Sequence, residues 1–67
     1  MSTARLVRMA NQIAASVPDR ALVAEQTAAH LKAFWTTSMI ATLAQYASED
    51  PEALEPSVLA ALDILRV

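Results

Sequence analysis

An all-α fold, a small bundle of three to four short helices forming one domain over residues 1–67, is what this sequence predicts, and three observations carry that reading. Glycine is absent, and alanine-rich segments fill the intervals between Pro18, Pro51 and Pro56; alanine is the best helix former and glycine among the worst. Apolar residues recur at helical rather than alternating spacing. Hydroxyl, acidic and proline residues stand where helices would start.

The first helix is expected over about Thr3 to Val17, capped by Ser2 or Thr3. Turning about 100° per residue, Leu6, Met9, Ala10, Ile13, Ala14 and Val17 form one stripe, with Arg5, Arg8, Gln12 and Ala15 opposite. The second is expected over about Asp19 to Trp35. Ser16 and Asp19 have the spacing of a capping box, and Pro18 suits a first turn. Its main stripe is Val23, Ala24, Ala28, Leu31, Phe34 and Trp35, and a thinner strip of Leu22, Ala29 and Ala33 lies on the far side. One helix cannot turn both strips toward the same core. The hydroxyl run Thr36-Thr37-Ser38 marks the next start. The third helix, about Thr37 to Ala47, places Met39, Ile40, Leu43, Tyr46 and Ala47 on one face. Residues Ser48 to Glu52 read as a solvated acidic loop. The fourth helix starts near Pro56 and runs to about Arg66. Val58, Leu59, Leu62 and Leu65 face inward, while Ala60, Ile64 and Val67 lie opposite. A helix apolar almost all round is normally buried on both sides, and three short helices are too few to surround it.

Composition points to association. Apolar residues make up 55% of the chain and charged ones 18%, against about 45–50% and about 25% in a typical domain. A chain of this size buries only about 60% of its surface and usually needs disulfides, a metal or a partner. There is no cysteine, and His30 is the only histidine, so a partner is the aid that remains. Surplus apolar surface commonly marks protein contacts. The net charge of −2 supplies no basic field for nucleic acid. No apolar stretch reaches the roughly 20 residues of a membrane span. Arg5 and Arg8 are followed by no continuous apolar core, so the N-terminus does not read as a signal peptide, and a cytoplasmic location is expected.

Catalytic constellations are missing. His30 is the only base for a nucleophile, and no third group is in sequence to hold it. Glu49, Asp50, Glu52 and Glu55 form the one acidic cluster, without calcium-loop spacing, and a glycine-free chain has no phosphate loop. The candidate site is therefore an interface. Arg5, Arg8 and Gln12 form a polar stripe, either solvated or docked on acidic residues of a partner. Asn11 sits at the stripe's edge, where a covered amide would have to be paired. His30 lies at the edge of the second helix's apolar stripe. Phe34 and Trp35 point about 100° apart, so one fills the core and the other its rim, and Trp35 is read either as core or as an interface anchor. Leu22, Ala60 and Ile64 are the apolar positions left over.

Certain runs are familiar as a set. Leu6-Val7-Arg8-Met9-Ala10-Asn11-Gln12-Ile13-Ala14, then His30-Leu31 with Phe34-Trp35 and Met39, then Leu54, Pro56, Val58 and Ala61-Leu62, cover nearly the whole chain in order. Together they resemble the delta subunit of soluble NAD-dependent molybdenum formate dehydrogenases. The resemblance implies a non-catalytic subunit that stabilises or helps assemble a cytoplasmic complex, docked on its molybdenum-containing alpha subunit. It implies no cofactor in this chain, with molybdenum cofactor, iron–sulfur clusters, FMN and NAD held by the larger subunits. Two departures stand out: Thr36-Thr37-Ser38 replaces the family's usual Asp-Pro-Arg, removing the arginine and any ion pair it makes, and the loop before the last helix is acidic rather than glycine-rich. The alternative is a generic helical binding or carrier module. A carrier's modified serine sits in an Asp-Ser-Leu setting, whereas Ser38 lies between Thr37 and Met39. A helix-turn-helix regulator would need a basic recognition helix that is not present.

Overall fold

Four α-helices are present in the computed structural model, which describes residues 2–66: α1 Thr3–Ser16, α2 Val23–Phe34, α3 Thr37–Glu49 and α4 Pro56–Leu65. Short 3-10 turns, Arg20–Leu22 and Pro51–Ala53, precede α2 and α4. The expected position of Val67 on the outer face of α4 lies outside the described residues.

The helices start where side chains can replace missing backbone partners. Ser2 caps α1 by accepting from the Arg5 amide at 3.2 Å, and Thr36 caps α3 by accepting from Met39 N at 3.1 Å. The second helix departs from expectation. Ser16 is still the last residue of α1 and donates back to the Ile13 carbonyl (2.8 Å), so no capping box forms with Asp19. Asp19 instead accepts from Ala21 N and begins a 3-10 turn, and the α-helical hydrogen-bonding pattern begins only at Val23. The acidic segment also differs: α3 runs on to Glu49 and Pro51–Ala53 forms a turn, although residues 48–52 are all exposed as expected.

With no glycine to adopt the left-handed cap, the helix ends close by other means. None of the described residues has positive φ. At the end of α1 one nitrogen of the Arg20 guanidinium donates to the carbonyls of both Ala14 and Val17, each at 2.7 Å. A cation there also complements the helix dipole. At the end of α2 the chain turns extended at Trp35 and Thr36.

The core gathers one face from each helix: Leu6, Ala10 and Ala14 from α1, Leu31 from α2, Leu43 from α3, Val58 and Leu62 from α4, with Trp35 and Leu54 from the connections. The α2–α4 pair makes the most extensive contact, and α1 packs on α2, α3 and α4. Buried Ala28 and Ala61 let helices approach without large side chains between them. Thr27 lies in the centre of α2's buried face, fully covered, and its hydroxyl has no hydrogen-bond partner.

One side chain fixes the crossing of α1 over the last connection. The Asn11 amide donates to the Ala53 carbonyl (3.0 Å) and accepts from Glu55 N (2.9 Å), spanning more than forty residues of sequence. Glu55 is the N-cap residue of α4 and has no side-chain cap of its own, so Asn11 secures the start of that helix.

Two expectations follow. Asn11→Ala should cost about 1–3 kcal/mol in urea unfolding, and Asn11→Asp should also destabilise, because a carboxylate can accept from Glu55 N but cannot donate to Ala53. A wild-type midpoint for Asn11→Ala would refute the clamp. Thr27→Val replaces an unpartnered hydroxyl by a methyl group and should stabilise by about 1 kcal/mol, raising the thermal midpoint by roughly 4–8 °C.

Candidate docking surface

The nine positions singled out from the sequence separate into distinct environments. Arg5, Arg8 and Gln12 are exposed along α1 and line a shallow hollow with Ser2 and half-buried Met9. Met9 and Gln12 also border a second hollow of about 300 Å³, completed by Ile13, Ser16, His30 and Trp35. The two hollows therefore form one continuous strip where α1 meets the end of α2. His30 is exposed, and its ring lies 4.8 Å from that of Phe34, tilted by 43°.

Within that strip the aromatic pair is arranged against expectation. Trp35 is 8% exposed and belongs to the core, whereas Phe34, placed on the buried stripe by helical spacing, is 73% exposed. The reason lies in the backbone. Trp35 has left the helix, with φ −95° and ψ 147°, and the extended turn carries its indole inward. Phe34 is the last residue of α2, at one edge of a buried face centred on Thr27, Ala28 and Leu31. Trp35 thus reaches the strip only as a wall of the hollow. Asn11 is also corrected: its amide is paired within the chain, so it serves the fold and is not free for a partner.

Ile64 belongs to a different surface. It is 45% exposed and, with Leu65, Ile40, Ala28 and Ala29, lines a cleft of about 500 Å³ between α2, α3 and α4, edged by Glu25 and Lys32. Ala60, exposed one turn earlier on α4, extends the same side of that helix. Leu22 is 39% exposed in the 3-10 turn before α2. Phe34, Met9 and Ile13 were not among the sequence candidates. The signal for Phe34 was its i, i+4 relation to His30 at a helix end.

The electrostatics divide likewise. Among the described residues Arg5 and Arg8 reach no acidic side chain within ion-pair distance; the ion pair present joins Arg66 and Asp63 on the surface of α4 (3.6 Å). The Asp50 carboxylate, 3.3 Å from the Tyr46 hydroxyl, pushes that phenol above its usual range. Glu49, Asp50, Glu52 and Glu55 are all exposed, which makes their segment a solvated acidic edge. No group of three His, Asp or Glu side chains able to hold a metal occurs among the described residues. Ser38, the residue a carrier reading would use, is exposed in the first turn of α3. No helix of the described residues is long and apolar enough to cross a membrane.

Comparison with known protein families gives a match over most of the chain. The family described as NADH-dependent formate dehydrogenase delta subunit FdsD matches residues 5–62. No curated protein and no solved structure matches the chain.

The aromatic pair supplies a direct check on the geometry. Trp35→Ala should cost about 3–5 kcal/mol, enough to unfold a domain of this size. Phe34→Ala should change stability by no more than about 0.5 kcal/mol. Equal losses in thermal melts of the two variants would contradict the assignment of one ring to the core and the other to the surface.

Proposed function

The chain belongs to the delta-subunit family of NADH-dependent formate dehydrogenase, and from that premise we propose that it is a non-catalytic subunit that docks on the molybdenum-containing alpha subunit and stabilises or helps assemble the complex. The observation that supports the docking part is Phe34, a large aromatic side chain 73% open to water and packed beside exposed His30. A small domain that exposes this much has reason to be covered in its working state.

The chemistry of formate oxidation is assigned in this reading to the larger chains. Iron–sulfur clusters need thiolates, and the chain has no cysteine. Its donor set does not fit them, and no step of the reaction is routed through its residues. Molybdenum cofactor, FMN and NAD go with the same partner subunits, and a cytoplasmic location goes with such a complex. The His30 ring packs at a tilt against Phe34, which supports a packing role for it in this reading.

The contribution to the complex is thermodynamic. A subunit that binds the assembled state more tightly than its separated parts shifts the equilibrium toward assembly by mass action. A tagged copy should co-purify with the molybdenum-containing chain from its native host. The isolated chain should show no formate-dependent reduction of NAD. Deleting it should lower the yield or thermal lifetime of the complex while leaving turnover per intact complex unchanged. Co-purification with none of the larger subunits would overturn the proposal.

A further inference from the structure

Two uncovered surfaces compete for the role of docking face, and they differ in charge. The α2–α4 cleft around Ile64 carries one residue of each sign, Glu25 and Lys32. The α1–α2 strip carries Arg5 and Arg8, and no acidic side chain lines either of its hollows. In a chain whose net charge is −2, a strip with two arginines and no carboxylate is a local reversal of the overall field. Among the described residues neither guanidinium has an ion-pair partner.

We propose that the α1–α2 strip is the face that engages the larger subunit, and that its occupant is an acidic segment of that subunit bearing an apolar side chain. This rests on the subunit reading above and adds to it the face and the chemistry of the partner. Arg5 and Arg8 meet the carboxylates, where the planar fork of arginine pairs well with a carboxylate. The apolar side chain enters the hollow walled by Met9, Ile13, His30 and Trp35. Phe34, the most exposed of the large hydrophobic residues, packs at a tilt against His30 and adds apolar area next to the hollow's His30 wall. Gln12 borders both hollows and offers an amide between the charged half and the apolar half. The strip thus has an aromatic anchor beside charges that steer and orient the partner. The cleft around Ile64 has no comparable charge bias and is not the primary face.

The test uses the tagged full-length chain, co-produced with the larger subunits of its formate dehydrogenase and captured at a series of salt concentrations. Wild type should retain the molybdenum-containing chain, and retention should fall as salt rises from about 0.05 M to about 0.5 M. The double variant Arg5→Glu/Arg8→Glu should weaken retention at low salt by at least about tenfold and flatten its salt dependence. Phe34→Ala should weaken it by a similar factor while leaving the salt dependence in place. Ile64→Ser, on the other face, should bind as wild type does. The altered residues are all exposed, so thermal melts of the free variants should stay near wild type and exclude unfolding as the cause. Undiminished binding by the Arg5→Glu/Arg8→Glu and Phe34→Ala variants would overturn the assignment of the face while leaving the subunit reading intact. So would loss of binding confined to Ile64→Ser. Wild type that retains no larger subunit would sink the underlying reading, and this one with it.

Discussion

A single amide sets the architecture. Helix α4 starts at a proline, which marks its first turn, but it has no side-chain cap, so nothing local fixes how it leaves the preceding turn. Asn11 supplies what is missing, holding the carbonyl of Ala53 and the amide of Glu55 with its two ends. That grip positions the last connection across α1, and α4 can then lie along α2, the most extensive contact in the fold. A hydrophobic side chain at position 11 would bury as much surface but could not specify the register, because apolar contact has no direction. Polar groups that are fully paired in partly buried places confer uniqueness in this way.

The same economy appears at the helix ends. A chain without glycine must finish its helices in right-handed or extended backbone. Arg20 closes α1 from the following segment, and Trp35 and Thr36 close α2 by turning extended. In the second case the helix stop is also a core contact, since the extended backbone is what delivers the indole to the interior. Stopping the helix and filling the core are one event at Trp35.

Much of this was legible from residue order. The periodicity of α1 located its buried Leu6, Ala10 and Ala14, and the hydroxyl run placed the Thr36 cap. The outer face of α4 was identified from Ala60 and Ile64, both exposed. Asn11 was recognised as an amide needing partners, but sequence could not say that the partners lie in the same chain, because they are more than forty residues away. The failures have separate causes. A helical wheel assumes that the helix continues, and at Trp35 it does not, so Phe34 was placed on the buried stripe although it is exposed. Thr27 was passed over because a hydroxyl reads as a surface residue, whereas the folded chain covers it completely. The capping box at Ser16 failed because sequence spacing cannot reveal which helix owns a given amide. Of the candidate interface, the structure gathers Arg5, Arg8, Gln12 and His30 into one strip with Trp35 at its wall, and leaves Leu22, Ala60 and Ile64 elsewhere.

Trp35 is the only tryptophan in the chain, and it stands between the interior and the hollow beside His30. Its emission colour and quantum yield therefore report on a single place. Any molecule that displaces water from that hollow alters the solvent relaxation around one indole edge. The chain carries an optical probe at the wall of this surface, with no label to attach.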